Sequence, residues 1–291
     1  MKYGNRILIT GASGYIGRAF RKQYKNDEII GLYSSQPYSG GIRFDALNDV
    51  LEDIIERPQL ISHCVILHAW VNIDKCAENP TVARAVNVTS VLRTIDWCVK
   101  YDVVPVFVSS EAVFGDDYEF PPDESLIPRP CTLYGKMKLE VEQYLRDANI
   151  DHSIIRIARV VGDSSDDRTG FKDWFRTFDE GGIIRCANDQ IMSPLSISDA
   201  AHGLMLAVKK NLRGVYHLAG DGMIRRIDLL RMLIREYSKI YFCDVTIEEC
   251  QLADFKVIEK RSLNSSISNL KFKKKTGFQP ISYLKLCRNL I

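Results

Sequence analysis

The sequence lacks three features that each indicate a class of protein: an excess of charge of one sign, long apolar runs and paired cysteines. Its Lys+Arg 39 against Asp+Glu 37 leave a formal net charge of +2. A nucleic-acid binder needs a strongly basic surface, so we expect no nucleic-acid partner. The apolar runs are too short to cross a bilayer, and Lys2–Thr10 leads into a predicted strand without the features of a signal peptide. We therefore expect a cytoplasmic protein with no membrane partner.

The eight cysteines and five histidines show none of the spacings typical of a metal site. The cysteines form no CxxC pair, and the histidines do not cluster near them. We therefore expect reduced cytosolic thiols and no metal ion. The chain also has no internal repeat and no low-complexity segment, and its 291 residues are enough to bury a sizeable core.

A glycine-rich turn near the amino terminus is the first positive signal. Arg6–Thr10 (RILIT) is predicted to be an apolar strand, GASGYIG follows at once, and a predicted helix then runs to about Asn26. Glycines allow unusual backbone angles and the close approach of a diphosphate, which the free N–H groups at a helix amino terminus can bind. We therefore predict a dinucleotide-binding loop. Its predicted contacts are Gly11, Ser13, Gly14, Tyr15, Ile16, Gly17 and Arg18.

The second signal is a tyrosine and a lysine four residues apart. A short strand is predicted over Pro105–Val108, with Ser110 near its end. After a proline-rich loop, a helix is predicted from near Thr132, which places Tyr134 and Lys138 on one face. A phenol titrates near pH 10 and exchanges protons poorly at neutral pH unless a cation favours its ionised form. Tyr134 is thus predicted to be the acid and base, Lys138 the cation that lowers its pKa, and Ser110 the group that holds the reacting oxygen.

Strands and helices alternate along the chain, which predicts an α/β fold with a doubly wound parallel sheet. Further strands are predicted at Glu28–Tyr33, before Phe44, and at Cys64–His68, Ser153–Ala158 and Gly214–Leu218. Helices are predicted at Leu47–Glu56, Pro80–Tyr101 and Gly170–Phe178, and from about Asp199. Residues 1–160, with a returning segment at about 191–218, are assigned to a Rossmann dinucleotide-binding domain, and residues 161–190 and 219–291 to a smaller substrate-binding lobe.

The end of the second predicted strand indicates which cofactor is bound. NAD-specific sites use an Asp or Glu there to bind the adenosine ribose hydroxyls. This chain has Tyr33, Ser34 and Ser35 instead, and Arg18 follows the last glycine of the loop. No carboxylate is present at this point to repel a 2′-phosphate, and two hydroxyls could bind it. The interpretation is a preference for NADP(H), with NAD(H) as the alternative.

Together these segments resemble the extended short-chain dehydrogenase/reductase family, also called the NAD-dependent epimerase/dehydratase family. The resemblance covers nearly the whole chain and is greatest to its dTDP-4-dehydrorhamnose reductase branch. The GxxGxxG loop and the pattern of Tyr134 and Lys138 carry it, with further motifs in the order of that branch. These motifs are HAWVNIDKCAENP, ARAVNV, VFVSSEAVFG, DQIMSP and RSLNSSISNLKFKKKTGF. The resemblance implies a Rossmann-type fold with a smaller carboxyl-terminal lobe that binds the substrate.

The resemblance also implies further cofactor contacts. Asp45 follows the third predicted strand, where the family has an acidic residue that contacts the adenine. The backbone at Ala69 and Trp70 would face the cofactor at the end of a strand. Asn87 lies in a predicted helix, where the family places an asparagine against the cofactor-binding core.

The predicted substrate contacts are Glu111, Cys131, Arg159, Trp174, Met192 and Arg261. Cys131 is included because it lies close before Tyr134, although a loop thiol without a role is the alternative. Trp174 is an aromatic residue that could pack a sugar or base, although core packing is its default. Met192 and Ser262 stand where the family segments have glycine and proline, so this chain departs from the family at its predicted substrate site.

The predicted function is an NAD(P)H-dependent reductase that acts on the 4-keto group of a nucleotide-activated 6-deoxysugar, with a homodimer as the expected assembly. The family's dehydratases carry a second carboxylate where this chain has Ala112, which disfavours elimination of water. Its epimerase-reductases carry a cysteine where this chain has Glu111. Two alternatives stay open. One is a nucleotide-sugar 4-epimerase with tightly held NAD, and the other is a non-catalytic, cofactor-binding regulatory subunit resembling the methionine adenosyltransferase beta subunit.

Overall fold

Short segments rich in valine and isoleucine form the strands of the first half of the chain, because β-branched side chains pack well on a pleated surface. The computed structural model describes residues 5–24, 29–115, 118, 120–148 and 150–291. The strands of this half are β1 (Arg6–Thr10), β2 (Ile29–Tyr33), β3 (Ile42–Arg43), β4 (Ile61–Ile66), β5 (Val104–Ser110) and β6 (Ser153–Ile157). Its helices are α1 (Tyr15–Gln23), α2 (Leu51–Ile54), α3 (Ile73–Glu78), α4 (Pro80–Arg84), α5 (Ser90–Lys100) and α6 (Leu133–Asp147).

The second half has shorter strands, most of them outside the main sheet. They are β7 (Val160–Val161), β8 (Gly182–Ala187), β9 (Ile191–Met192), β10 (Leu195–Ser196), β11 (Gly214–Leu218), β12 (Ile224–Arg225), β13 (Val245–Cys250) and β14 (Asn264–Ser265). The helices are α7 (Lys172–Glu180), α8 (Ile197–Lys209), α9 (Arg226–Tyr237), α10 (Leu270–Thr276) and α11 (Tyr283–Asn289).

Seven strands form one parallel sheet in the order β3-β2-β1-β4-β5-β6-β11. The chain starts in the middle with β1, moves outward through β2 and β3, and then crosses to β4 on the other side of β1. The strand order thus reverses between β1 and β4, which creates a crevice at the carboxyl ends of these strands. The predicted α/β fold with a doubly wound parallel sheet is confirmed.

Apolar side chains cover both faces of the sheet. Val106 and Phe107 are neighbours in β5 and point to opposite faces. Phe107 packs in the cluster with residues of α5 and α6, whereas Val106 packs in the cluster with α1 and α8. Phe272 of α10 and the nearby Phe278 join the second cluster. This part of the chain, assigned to the lobe from its sequence, therefore packs on the sheet.

The lobe has an apolar core of its own. Trp174, Phe175 and Phe178 of α7 pack there against Leu230 of α9 and Leu286 of α11. β8 and β13 form a parallel pair beside this core. Arg261 and Ser262, from the part of the chain assigned to the lobe, line a cavity together with Glu111 and Ala112, which follow the carboxyl end of β5.

Several element boundaries differ from those predicted. The predicted helix at Leu47–Glu56 is reduced to α2, because the residues before it form a hydrogen-bonded turn around Asp45. β4 lies earlier than predicted, since its pairing with β1 begins where Ile61 meets Arg6. β5 reaches Ser110 through its pairing with β6. The predicted helix end at Asn26 and strand start at Glu28 lie outside the described residues.

Candidate active site

Two elements meet at the carboxyl edge of the sheet and bring the predicted catalytic side chains together. β5 ends at Ser110, whose side chain is 7 % exposed. α6 begins directly after Thr132, whose hydroxyl accepts a hydrogen bond from the N–H of Gly135 and caps the helix. Tyr134 and Lys138 lie one turn apart on its buried face and are 8 % and 3 % exposed.

The Ser110 hydroxyl is held by the turn that follows β5. It accepts a hydrogen bond from the N–H of Ala112 (3.2 Å) and donates one to the carboxylate of Glu111 (2.9 Å). The Ser110 hydroxyl also lies close enough to the Tyr134 phenol to lower the pKa of that phenol. A hydroxyl, a phenol and a carboxylate therefore meet at one point of the sheet edge.

The electrostatic surroundings of Tyr134 differ from the prediction. Burial raises the pKa of Tyr134 and the Glu111 carboxylate raises it further, against the effect of the Ser110 hydroxyl, which lowers it. The Lys138 ammonium donates to the carbonyl of Val108 (2.9 Å) and lies 5.7 Å from the centre of the Tyr134 ring. Burial and Glu111 thus outweigh any lowering of the Tyr134 pKa by Lys138, and the role of Lys138 toward the phenol stays a prediction. Tyr134 is a neutral phenol, which is the form that donates a proton.

Gly135 allows α6 to approach the turn after Ser110. A Cβ at this position would lie 2.0 Å from the carbonyl oxygen of Ala112 and 2.9 Å from its carbonyl carbon. Both are backbone atoms, so a side chain here would displace the helix that carries Tyr134. The closeness of α6 to β5 thus depends on a glycine that sequence reasoning passed over.

Gly135→Ala is expected to lower kcat by about tenfold to a hundredfold, because a displacement of about 1 Å in a reacting group costs up to about 10²-fold in rate. The exposed neighbour Lys136 provides the matched control, and Lys136→Ala should keep wild-type turnover. Steady-state kinetics on the two variants tests this expectation, with circular dichroism to confirm folding. A wild-type kcat for Gly135→Ala would show that the close approach is not needed.

The glycine loop has the shape of a diphosphate cradle. Gly11 has a φ of +68°, and a Cβ there would lie 2.9 Å from the backbone nitrogen of His68. A Cβ at Gly17 would lie 2.5 Å from the carbonyl oxygen of Gly11. Gly14 precedes α1 without a side-chain capping hydrogen bond, so the first N–H groups of the helix can bind an anion. Ile16 packs below in the apolar core, and these residues fit a dinucleotide.

Arg18, the predicted contact of a 2′-phosphate, connects the glycine loop to the loop after β2. Its guanidinium donates to the carbonyl of Ser13 (3.1 Å) and to the side-chain oxygen of Gln36 (3.3 Å). Gln36 belongs to the loop after β2, together with the exposed Ser34 and next to the half-buried Tyr33. Sequence reasoning did not include Gln36, although the position after two serines made it a candidate.

The backbone of Trp70 is held by the side chain of Asn87. The side-chain oxygen of Asn87 accepts from the Trp70 N–H (2.7 Å), and its amide donates to the Trp70 carbonyl (2.9 Å). Asn87 is fully buried in a π-helical turn, Ala85–Thr89, that joins α4 to α5. Such turns occur often at functional sites. Asn87 thus orients the loop that contains Ala69 and Trp70, beside the glycine loop.

His68 connects three elements, and sequence reasoning treated it only as part of a motif. Its Nδ1 lies 2.7 Å from the Thr10 hydroxyl, and its Nε2 lies 3.0 Å from the Ser90 hydroxyl. Ser90 donates its own proton to the carbonyl of Val86, so Nε2 of His68 is the donor and Nδ1 accepts from Thr10. Burial lowers the pKa of His68 to about 3, which keeps the imidazole neutral.

Two further predicted cofactor contacts, Asp45 and Tyr15, also have protein partners. The Asp45 carboxylate accepts from the N–H of Leu47 (3.1 Å) and from the side-chain amide of Asn48 (2.9 Å), which organises the turn after β3. The Tyr15 hydroxyl donates to Asp167 (2.8 Å) and connects the glycine loop to the segment after β7. Their roles toward a cofactor stay predictions.

A cavity of about 140 Å³ opens beside residues next in the chain to the predicted catalytic side chains. It is lined by Ile73, Glu111, Ala112, Phe114, Cys131, Thr132, Arg159, Gln190, Met192, Arg261, Ser262 and Ser265. This set includes every predicted substrate contact except Trp174, which is buried in the lobe core. Ligand pockets usually measure about 300–1,000 Å³, so this cavity suits the reacting end of a larger ligand.

A larger cavity of about 930 Å³ lies at the opposite end of the sheet. Ser62, His63, Val104 and Pro105, near the amino ends of β4 and β5, contribute to its wall. Ligands of doubly wound sheets bind outside the carboxyl ends of the strands. The smaller cavity, beside Tyr134, is therefore the candidate active site.

The wall of the smaller cavity carries charges of both signs. The Arg159 side chain is exposed to the cavity, yet the surrounding protein restricts its hydration and lowers its pKa, as does the nearby Arg226. Burial raises the pKa of Glu111, against its hydrogen bond with Ser110. Arg261 forms an ion pair with Asp74 (2.9 Å). Cations beside a carboxylate suit a ligand that is both anionic and rich in hydroxyls.

Glu259 is a further residue that sequence reasoning missed. Its carboxylate accepts from the N–H of Leu133 at 2.9 Å and 3.1 Å, which caps α6 one residue before Tyr134. Leu133 and Glu259 are 126 residues apart, so no local pattern could have indicated this contact. The cap connects the carboxyl-terminal part of the chain to the catalytic helix.

Comparison with known proteins decides the family. The model of the RmlD substrate binding domain family matches residues 5–291. The chain belongs to this family. Among RmlD-family relatives, it is 25% identical to a dTDP-4-dehydrorhamnose reductase of Sinorhizobium fredii over 98% of this chain and 96% of the relative. It is 30% identical to one of Mycolicibacterium smegmatis, over 78% of this chain and 67% of the relative.

The fold of this RmlD-family chain is also similar to a solved structure with a dinucleotide. That structure is a dTDP-4-dehydrorhamnose reductase from Bacillus anthracis in complex with NADP. The two share a TM-score of 0.83 at 21% identity, over 99% of this chain and 98% of the other. The resemblance inferred from the motifs is confirmed by the family match.

Within the described residues, no group of three or more His, Cys, Asp or Glu side chains could hold a metal ion. A search of the same residues finds no helix both long and apolar enough to span a membrane. The eight cysteines, all within the described residues, are in the reduced form, and Cys131 is exposed.

Proposed function

We propose that this RmlD-family protein is an NAD(P)H-dependent reductase of the 4-keto group of a nucleotide-activated 6-deoxysugar, with NADP(H) preferred. The observation that carries the proposal is the convergence of Ser110, Tyr134 and the buried Lys138 between the glycine cradle and a polar cavity. Relatives named dTDP-4-dehydrorhamnose reductase support the substrate class. The similar structure that binds NADP, together with the position of Arg18, supports the cofactor.

The residues divide the work of carbonyl reduction between them. A bound reduced nicotinamide supplies the hydride. Ser110 positions the carbonyl oxygen, and Tyr134 donates its proton to that oxygen as negative charge develops on it. Burial keeps the phenol protonated until this point. Lys138 would hold the nicotinamide ribose, and its positive charge would stabilise the tyrosinate that is left.

The decisive experiment mixes the purified protein with dTDP-4-keto-6-deoxyglucose, with and without a sugar 3,5-epimerase, and follows the absorbance of NADPH or NADH. Oxidation that requires the epimerase supports a dehydrorhamnose-type reductase. Oxidation without it indicates a reductase of the unepimerised sugar. No oxidation in either mixture contradicts the proposed substrate.

The same preparation tests the alternatives. Tightly held NAD in the purified protein would indicate a 4-epimerase, and co-purification with a larger catalytic partner, without turnover, would indicate a regulatory subunit. The homodimer and the cytoplasmic location also belong to this proposal. Light scattering coupled to size-exclusion chromatography tests the homodimer, and fractionation of the source cells tests the location.

Arg18→Ala is expected to raise the KM for NADPH about tenfold, equivalent to roughly 1.4 kcal/mol, because a charged hydrogen-bond donor to the 2′-phosphate is lost. The KM for NADH should stay at the wild-type value, since NADH has no 2′-phosphate. Lys22→Ala, which removes an exposed cation further along α1, is the matched control. An equal rise for both cofactors would contradict the assigned role of Arg18.

A further inference from the structure

A row of buried polar side chains crosses the sheet one residue before Ser110. Ser109 of β5 lies beside Arg156 of β6, and Arg156 lies beside His217 of β11. Residues paired in register point to the same face of a sheet. These three are at most 1 % exposed, on a face where Phe107 belongs to the apolar core. The proposed reaction does not use them.

Glu142 of α6 completes this polar row. Its fully buried carboxylate accepts three hydrogen bonds from the Arg156 guanidinium, at 2.6, 3.0 and 3.2 Å, and one from the Ser109 hydroxyl at 2.6 Å. Arg156 also donates to Nε2 of His217 (3.3 Å). Burial lowers the pKa of His217 to about 3, so the imidazole is a neutral acceptor. The charge of Arg156 is thus balanced by the charge of Glu142.

The ion pair lies next to the catalytic groups on both elements. Glu142 follows Lys138 by four residues, which places both side chains on one face of α6. On β5, the Val108 carbonyl accepts from Lys138 and the adjacent Ser109 donates to Glu142. Two consecutive residues of β5 are therefore bound to α6 directly before Ser110.

Stability alone is a weak reason for such an arrangement. Apolar side chains of similar volume are often as stabilising as a buried ion pair, since two charges lose their hydration on burial. We propose that the Glu142–Arg156 pair positions the reacting groups: through Ser109 it holds Ser110 in place, and its Glu142 carboxylate maintains the protonated form of Lys138. This inference rests on the proposed function.

The surroundings of Lys138 agree with this role. Burial lowers the pKa of Lys138 to about 8, while the Glu142 carboxylate raises it against that effect. The titratable groups that face Lys138 are Glu142 and Tyr134 on α6, Cys76 on α3 and the neutral His68 after β4. Removing the charge of Glu142 therefore shifts the loss of the Lys138 proton to lower pH.

Glu142→Gln in the full-length protein tests the proposal. We expect kcat at neutral pH to fall about tenfold with the KM for NADPH near its wild-type value, and the alkaline limb of the pH profile of kcat to move about one unit lower. Glu140→Gln is the matched control, because Glu140 lies on the same helix in a solvent-exposed ion pair with Arg84. Its kcat and its pH profile should follow those of the wild type.

Glu142→Gln leaves Arg156 without its counter-charge and can unfold, so Ser109→Ala is the second variant. It keeps the ion pair and removes only the 2.6 Å hydrogen bond to Glu142. We expect kcat to fall several-fold, with the KM for NADPH and the midpoint of thermal unfolding near those of the wild type. A purely structural role would instead lower the midpoint and leave kcat of the folded enzyme unchanged.

Hydrogen exchange of the backbone amides in residues 106–115 separates this proposal from the proposed function, because it needs no substrate. Exchange in this segment should be faster in Ser109→Ala and Glu142→Gln than in the wild type or Glu140→Gln, with β1 unchanged. If the wild type reduces no nucleotide-sugar, the proposed function fails and exchange alone decides the positioning role. Wild-type exchange rates in residues 106–115 of both variants would overturn the positioning role. A pH profile of kcat for Glu142→Gln whose alkaline limb coincides with that of the wild type would overturn it as well.

Discussion

Tyr134→Phe is expected to lower kcat by about 10²–10⁴-fold, the usual contribution of a positioned general acid. The variant loses the phenolic proton but keeps the ring, which is 8 % exposed and packs in the apolar core. The fold and the glycine cradle should therefore be unaffected, and NADPH should bind with wild-type affinity. Steady-state kinetics gives the loss of turnover, and titration of NADPH fluorescence gives the affinity.

A second tyrosine of α6 provides the control for this result. Tyr144 is partly exposed, and its hydroxyl donates to Asp96, away from the cavity. Tyr144→Phe should therefore keep wild-type turnover. If Tyr134→Phe also kept it, Tyr134 would not be the acid, and the proton would have to come from another group at the cavity, with Glu111 as the first candidate.

Arg156→Met is expected to lower the free energy of unfolding by about 3–5 kcal/mol, because it leaves the buried Glu142 carboxylate without its counter-charge. Glu142 is fully buried and Arg156 is 1 % exposed, so water cannot replace the lost hydrogen bonds. Urea denaturation followed by circular dichroism measures the loss. The slope of the transition should stay near that of the wild type if the native fold is kept.

The same carboxylate offers a matched control. Arg146 also approaches Glu142 (3.6 Å), but its side chain is 38% exposed. Arg146→Met should therefore cost only about 0–1 kcal/mol, the usual range for a solvent-exposed pair. The double variant Glu142→Leu with Arg156→Met should recover most of the stability that Arg156→Met loses, since neither charge of the pair then stays buried. Equal losses for Arg146→Met and Arg156→Met would show that burial is not the cause.

The parts that sequence reasoning predicted well depend on contacts between near neighbours. The strand before Gly11, the turn that needs glycine and the helix after it are consecutive, so their pattern is readable along the chain. Tyr134 and Lys138 share a face because of helical periodicity alone, and Thr132 caps that helix through a bond to the third residue after it. The α/β fold class follows from the same alternation of short apolar strands and helices.

The parts that sequence reasoning missed depend on contacts between distant residues. The exception is local: the helix predicted at Leu47–Glu56 is shorter because the side chain of Asp45 stabilises a turn with the next two to three residues. Trp174 is buried in the lobe core, and Phe272 packs on the sheet. Each apolar side chain is buried where the close-packed interior has space of its size, and that space forms only when distant parts of the chain come together.

The sequence by itself determined the cradle, the catalytic pair and the class of fold, since local periodicity and the conformational freedom of glycine specify them. Only the tertiary structure decided the charges around the pair. Lys138 donates a hydrogen bond to the carbonyl of Val108 in β5, and Glu111 raises the pKa of Tyr134. Glu142 forms its ion pair with Arg156, fourteen residues further along the chain. Burial sets the strength of each of these interactions, and burial is known only once the layers of the fold have packed together.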